Sequence, residues 1–225
     1  MGEQFTSKPL TAASWPDLEF LFGLPGGSIV RGCWCMFYRR SGKSAGNDGS
    51  PASRKDANKQ EMCDLVHAGT VPGLIGYLDG VPAGWISLGP REEYHKLRRS
   101  PVMKPVDDTP VWSVVCSYVA KPHRGKGLQH RLLAAAIEFA REQGARILEA
   151  YPIDKAERSH PDFMFFGSRG LYEGAGFTEV VRRSPTRVVM RLDLAGPAAS
   201  GKSSSADQGR PGSDSVRAAA SSSPA

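Results

Sequence analysis

The stretch VWSVVCSYVAKPHRGKGLQHRLLAAAIEFAREQ, residues 111–143, decides the fold. Its first part, 111–119, is rich in β-branched and aromatic side chains and predicts a buried strand. From Leu128 onward, apolar residues recur at spacings of three and four, which predicts an amphipathic helix over 128–143 that ends at Gly144. A loop with two glycines joins the strand to the helix, so the stretch forms one strand–loop–helix unit.

This loop has the features of a phosphate-binding site. Gly125 and Gly127 stand where the helix begins, and glycine lets backbone amides approach a ligand closely. The unpaired N–H groups of a helix start, together with the positive end of the helix dipole, favour a pyrophosphate. Arg124, Lys126 and Arg131 add positive charge. An ordinary turn and helix cap would explain the glycines equally well, and neither the Walker pattern nor the longer Rossmann glycine pattern is present.

The rest of the chain alternates predicted strands and helices. Asp79-Gly80 joins two apolar runs and is a strong signal for a β-hairpin. Residues 32–40 are aromatic and rich in cysteine, which predicts a further strand. The other predicted elements are helices from Ser14 to Gly23 and over 55–66, 92–98 and 167–174, and strands over 73–78, 81–88, 146–150, 177–181 and 188–194. This order predicts an α/β fold, a mixed central sheet with helices on both faces.

Composition sets the domain limits and excludes several classes of partner. We expect one domain over 13–195, after a flexible N-terminus (1–12) and before a disordered tail (196–225) whose Ser, Ala, Gly and Pro residues cannot support a core.

No apolar run approaches the ~20 residues of a membrane span, and no signal peptide is evident, so we expect a cytoplasmic protein. The net charge of +6 is spread along the chain, which argues against nucleic acid as a partner. The four cysteines are too few for a disulfide framework.

Two segments resemble one known family. The residues VAKPHRGKGL, 119–128, resemble the acyl-CoA signature of GNAT acetyltransferases, with Arg124 and Gly127 at matching positions. The residues LYEGAGF, 171–177, are similar to a second segment of that family, at the right distance downstream. Two departures occur: Gln129 stands where the family has Gly or Ala, and Phe165 stands near the place of its usual Asn.

The resemblance implies a GNAT-like, splayed sheet with acetyl-CoA as co-substrate. Acetyl-CoA would lie in the cleft where the strand ending at Val119 separates from the strand ending at Tyr151. Its pantetheine amides would pair with the backbone near Ser117 and Val119, and its pyrophosphate would lie on the loop. The implied cofactor-binding residues are Ser117, Val119, Arg124, Gly125, Lys126, Gly127, Leu128 and Gln129.

The implied reaction is transfer of an acetyl group to a primary amine by direct attack. We expect a small-molecule amine; a protein N-terminus or lysine, and a non-catalytic acyl-CoA-binding module, are the alternatives. By resemblance, Tyr172 is the general acid for the leaving thiolate, and a half-buried structural aromatic is its other reading. Glu149, at a strand end near the cleft, is either the base for the amine or a surface carboxylate. The sequence leaves the oligomeric state open, a homodimer included.

The acceptor side is expected around the first helix, residues 33–40 and the region of Tyr94. Trp34, Phe37 and Tyr38 form an aromatic wall there or pack in the core. Cys33 and Cys35 would share one face of the predicted strand. A metal site would need two more ligands with good geometry, so we expect buried free thiols and no metal.

Overall fold

A seven-stranded mixed sheet forms the centre of the protein, as the computed structural model shows for residues 3–41, 51–155 and 165–195. The spatial order is β1-β2-β3-β4-β5-β7-β6, and among the strands of the described ranges only β4 and β5 pair in parallel. The strands are β1 (Phe5–Pro9), β2 (Gly73–Leu78), β3 (Val81–Pro90), β4 (Trp112–Val119), β5 (Ile147–Ala150), β6 (Thr178–Ser184) and β7 (Arg187–Asp193).

Helices cover both faces of this sheet. In the described ranges they are α1 (Trp15–Gly23), α2 (Ser28–Cys33), α3 (Pro51–His67), α4 (His95–Arg98), α5 (Leu128–Glu142) and α6 (Arg169–Gly174). One core joins α5 and α6 to inward residues of the sheet such as Leu74 and Leu148. A second core joins α1, α2 and α3 to Ile75 and Trp85 on the other face. The predicted α/β architecture with a mixed sheet is confirmed.

The central strand–loop–helix unit forms as its pattern predicts. Apolar spacing places one stripe of α5, including Leu132, Ala136 and Ala140, in the core. The helix begins after Gly127, whose φ of 71° is in the left-handed region, and Gly144, with φ of 79°, follows its end. Glycine suits both positions because it has no Cβ to clash there.

The hairpin also agrees with the sequence. Asp79 and Gly80 connect β2 to β3 with φ values of 48° and 81°, as the tight turn between right-handed twisted strands requires. None of the described helices has the length and apolar character needed to cross a membrane.

The strand predicted over 32–40 is wrong. The chain there ends α2 at Cys33 and then turns through Trp34 and Cys35, whose φ values are 45° and 55°. Trp34 stacks on Trp15 at 5.6 Å between ring centroids and packs on Phe22 at 5.2 Å. The strand preference of aromatic residues depends on their surroundings. Here the packing of Trp34 against α1 outweighs that preference.

The N-terminus also differs from the expected flexible segment. Phe5–Pro9 forms β1 and pairs antiparallel with β2 at one edge of the sheet. Its residues are mostly polar and partly exposed, so it lacks the apolar alternation by which a strand is recognised in sequence. The tail at 196–225, expected to be disordered, lies outside the described residues.

Candidate active site

A cleft opens in the sheet between β4 and β5. The two strands pair over three residues only, 112–114 with 148–150, while β4 continues to Val119. A bulge accompanies the separation: Leu88 pairs with Val114 and Ser87 with Cys116, which leaves Val115 as the extra residue. The carboxyl end of β4 therefore has a free edge, at the end of parallel strands where α/β sheets bind ligands.

The loop from β4 to α5 places the backbone amides of the helix start at the mouth of this cleft. Gly125 has a φ of 81°, and Gly127 is the N-cap of α5 without a side-chain cap. A Cβ atom built on either glycine meets no other atom within 4 Å, so the loop faces open space. Leu128, which is 2% exposed, anchors the first turn in the core. The geometry is that of an anion site at a helix start.

Basic side chains surround the loop but are already engaged. Arg124 donates from Nε to the Val119 carbonyl oxygen at 3.1 Å. Lys126 pairs with the Glu3 carboxylate at 2.6 Å, and the Arg131 guanidinium lies 3.5 Å from the Glu3 carbonyl oxygen. The Lys126–Glu3 pair is exposed on both sides, and exposed ion pairs contribute only about 0–1 kcal/mol. An incoming phosphate can therefore displace Glu3 at little cost.

Ser117 and Val119 direct backbone groups away from β3 and toward the cleft. The Ser117 N–H donates to the Phe165 carbonyl oxygen at 2.6 Å, and the Val119 carbonyl accepts the Arg124 bond. These are the two residues at which pantetheine pairing is expected. Phe165 thus occupies, with its own backbone, one hydrogen bond that an extended ligand would make.

Gln129 extends its side chain into the cleft. Its Nε2 donates to Ser117 Oγ at 2.7 Å and lies 3.5 Å from the position a Cβ would take on Gly167. Gly167 has a φ of 75°, and the same Cβ would come within 2.9 Å of Leu171 and 3.0 Å of Tyr172. The Gln129 side chain therefore points away from the loop amides, and its own backbone N–H remains at the start of the helix.

Tyr172 lies on α6 beside this segment and is only 1% exposed. Its ring packs edge-on to Phe177, with the centroids 5.1 Å apart. Burial, and secondarily the nearby Cys116 thiol, raise the pKa of the Tyr172 hydroxyl above its ordinary value. The hydroxyl therefore stays protonated at neutral pH. The ring is buried rather than half-buried, which suits a structural aromatic as well as a general acid.

Glu149 is buried at 0% exposure and fully engaged, so its surface reading is wrong. One carboxylate oxygen accepts from the Tyr151 hydroxyl at 2.7 Å, and the other accepts from Arg191 Nε at 2.7 Å. Arg91 adds a second guanidinium at 3.8 Å, and Arg191 also bonds Asp107. Both carboxylate oxygens are already engaged by buried protein partners, so the base reading loses support.

An apolar cavity of about 240 Å³ lies beside the bulge of β4. Sequence reasoning named several of its residues but not the cavity, since the wrong strand prediction hid it. Hydrogen bonding to Cys35, followed by burial, raises the pKa of the Cys33 thiol, and hydrogen bonding to Cys116 does the same for Cys35. The thiols are therefore neutral, and among the described residues no cluster is placed to hold a metal ion. The residues that line the apolar cavity include Val30, Cys33, Cys35, Tyr38, Cys116 and Phe165.

Comparison with known proteins identifies the class to which this fold and cleft belong. The sequence model of the acetyltransferase (GNAT) family matches residues 36–177, more than half of the chain, and the chain belongs to that family. It is thus an acetyltransferase by family. No curated protein matches the chain.

Solved structures similar to this chain include three acetyltransferase-type proteins. PaiA N-acetyltransferase from Thermoplasma acidophilum, in complex with coenzyme A, is 13% identical; the match covers 84% of this chain and 99% of that one, with a TM-score of 0.47. YncA from Salmonella typhimurium, with its cofactor acetyl-CoA, is 20% identical over 87% of this chain and 98% of that one, with a TM-score of 0.44. Ribosomal-protein-alanine N-acetyltransferase from Brucella melitensis is 18% identical; the match covers 84% of this chain and 99% of that one, with a TM-score of 0.46.

Proposed function

We propose that the protein transfers the acetyl group of acetyl-CoA to the primary amine of a small molecule. The observation that supports this most strongly is the adjacency of two features, the open amides at the start of α5 and the free edge of β4. A ligand with a pyrophosphate at one end and an extended amide-bearing arm fits both at once. Acetyl-CoA has this shape and carries the group that the family transfers.

In this proposal the pyrophosphate binds the backbone amides of 125–129, where the glycines admit it and the α5 dipole favours it. Arg124 and Lys126 add charge, and Leu128 fixes the first turn of the helix. The pantetheine arm pairs with Ser117 and Val119 as an added strand would. The arm replaces the contact of Phe165 with Ser117, so the loop at Phe165 shifts when the ligand binds.

The chemistry is a direct exchange of bonds. The neutral amine nitrogen attacks the thioester carbonyl, a C–N bond forms, the C–S bond breaks, and the electron pair of that bond leaves on sulfur. The amine loses one proton and the thiolate gains one, so no proton is consumed overall. We assign the Tyr172 hydroxyl to the thiolate, as hydrogen-bond donor and proton donor. Because its pKa is raised, its contribution depends on a positioned O–H more than on acidity.

Glu149 has a different role in this account. We propose that it holds Arg91 and Arg191 in place at the closed part of the sheet and takes no proton from the amine. Solvent accepts that proton instead. The small cavity beside the β4 bulge favours a small-molecule acceptor, since a protein substrate needs a surface groove around its amine.

The test is thiol release by the purified full-length chain with acetyl-CoA and a panel of primary amines, paired with calorimetry of acetyl-CoA alone. We expect saturable binding of acetyl-CoA and release of CoA that depends on the amine. Binding without release for every amine would indicate the non-catalytic module. Release only with peptides bearing a free N-terminus or lysine would indicate a protein acceptor, and absence of binding would refute the proposal.

A further inference from the structure

The position of the apolar cavity relative to the cleft is the starting observation. A ligand arm that leaves the loop and follows β4 passes Val119 and Ser117 before it reaches Val115, about 13 Å along the strand. Val115 is the bulged residue at which the cleft closes, and Val115 and Cys116 also line the cavity. The far end of an arm lying in the cleft therefore faces the interior of the cavity.

The walls of the cavity present carbon and sulfur almost everywhere. Val30, Cys35 and Cys116 are buried, and the Cys33 and Cys35 thiols are protonated as described above. Cys35 Sγ accepts a hydrogen bond from Trp85 Nε1 at 3.2 Å, so that thiol already has a polar partner. No Asp or Glu among the described residues lines the cavity. A cation placed inside would lose its hydration without a compensating carboxylate, which is strongly unfavourable.

The entrance continues this apolar surface to the exterior. Ile29 and Phe37 line the cavity and are 39% and 54% exposed, among the few large apolar side chains exposed in the described ranges. Contiguous exposed apolar surface marks binding sites, and these two side chains continue the apolar lining of the cavity. Lys96 lies over the Phe37 ring at 3.8 Å, and burial, followed by the charge of Arg40, lowers the pKa of Lys96. The entrance is therefore apolar, with Lys96 beside it, and favours a compact apolar molecule over a polycation.

We propose that the acceptor is a primary amine on a compact hydrocarbon body, an alkylamine or an arylalkylamine. This inference rests on the proposed acetyl transfer. The hydrocarbon fills the cysteine-lined cavity, and the nitrogen meets the thioester beside Val115. Desolvation in the cavity shifts the amine toward its neutral form, which attacks, so the cavity supplies part of what a carboxylate base would do. Polyamines and other polycationic acceptors are excluded by the same walls.

The size of the cavity limits the body of the amine. Its volume of about 240 Å³ is smaller than the ~300–1,000 Å³ of pockets for drug-sized ligands. Each methylene that enters an apolar site improves binding by about fourfold. In a series of straight-chain amines, kcat/KM is therefore expected to rise by about that factor per carbon and to level off when the cavity is full.

The experiment measures kcat/KM for ethylamine, butylamine, hexylamine, phenethylamine and spermidine with the full chain and acetyl-CoA. Two variants accompany it: Ile29→Asp places a carboxylate at the entrance, and Val81→Asp is the matched control. Both side chains are exposed aliphatics, at 39% and 48%, and Val81 lies at the start of β3, outside the cavity lining. Acetyl-CoA affinity is measured in each protein to show that the donor site is intact.

We expect activity that rises with hydrocarbon length, a poor response to spermidine, and a loss of at least about tenfold for hexylamine in Ile29→Asp alone. Acetyl-CoA binding should be unchanged in both variants. A flat series, or a preference for spermidine, would overturn this inference and leave acetyl transfer standing. If no amine accelerates CoA release although acetyl-CoA binds, the proposed function fails and the inference fails with it.

Discussion

The two halves of β4, residues 112–114 beside β5 and residues 115–119 beyond it, differ in how their polar neighbours are hydrogen-bonded. Where β4 pairs with β5, Glu149 is enclosed; its carboxylate accepts from Tyr151 and Arg191, and Ser113 bonds the Tyr151 hydroxyl. Where β4 extends beyond β5, the Ser117 N–H bonds the backbone of Phe165 and the Val119 carbonyl bonds Arg124, and a ligand can replace both partners. A buried charge is stable only when it is fully paired, so the closed half serves the fold. Binding needs partners that exchange, so we propose that the open half carries the site.

Removal of the Tyr172 hydroxyl is expected to have the largest effect on activity. General acid catalysis contributes about 10²–10⁴-fold, so Tyr172→Phe should lower kcat by that factor with acetyl-CoA affinity nearly unchanged. Steady-state rates and calorimetry measure the two quantities. Tyr77→Phe is the control, because it removes a buried hydroxyl that bonds Asp17 at 2.7 Å, away from the cleft. A Tyr172→Phe protein that keeps most of its turnover, with chemistry rate-limiting, would return the residue to a structural role.

Neutralisation of Glu149 should act on stability instead. Glu149→Gln leaves the Arg91 and Arg191 guanidinium groups without their buried anion, and loss of one partner of such a pair costs about 3–5 kcal/mol. Urea unfolding should show this loss, while the fraction that remains folded keeps its kcat. The base hypothesis would be restored by a Glu149→Gln protein that is stable and binds acetyl-CoA but has lost two things: its turnover and the acidic limb of its pH–rate profile.

High pH should weaken the fold through its buried tyrosines. Burial raises the pKa of Tyr38 and Tyr94 to about 12, above the phenol value near 10 in an unfolded chain. The folded state therefore favours the protonated phenols. Their stabilisation is fully present below pH ~10 and is lost as the pH rises from there through about 12. A phenolate absorbance titration of native and urea-unfolded protein measures the difference, and identical curves would contradict the burial of these rings.

The smallest effect is expected from the tail. Residues 196–225 lack the apolar content to support a core, so their deletion should leave both the melting temperature and the acetyl-CoA affinity nearly unchanged. Differential scanning calorimetry and a binding titration of the truncated chain check this. A large drop in either quantity would show that the tail docks onto the domain.

The sequence predicted those parts of the fold that local pattern controls. The apolar spacing of α5, the Asp79-Gly80 turn and the β-rich run of β4 each carry their signal within a few residues. The turn at Cys35 was missed because stacking of Trp34 on Trp15, from a different element, overrides its local preference. Pattern cannot show such packing.

The candidate site was predicted to a similar extent. The loop at Gly125 and Gly127 is visible because its glycines lie next to a helix start in the sequence. The pairing of Glu149 with Arg191 joins positions 42 residues apart, and the pairing of Lys126 with Glu3 joins positions 123 apart. A single sequence gives no signal for such contacts. The apolar cavity likewise depends on where α2 lies against β4.

Acetyl-CoA titration of Gly127→Leu against Gly144→Leu tests the assignment of the donor site most directly. Both glycines have left-handed φ values, 71° and 79°, and open surroundings, so both variants carry a similar backbone strain of about 1–2 kcal/mol. They lie beyond opposite ends of α5, and only Gly127 adjoins the proposed pyrophosphate site. We predict that calorimetry of the folded proteins shows acetyl-CoA binding at least about tenfold weaker in Gly127→Leu and unchanged in Gly144→Leu, a difference of about 1.4 kcal/mol or more. Equal affinities in the two variants would contradict the placement of acetyl-CoA on this loop.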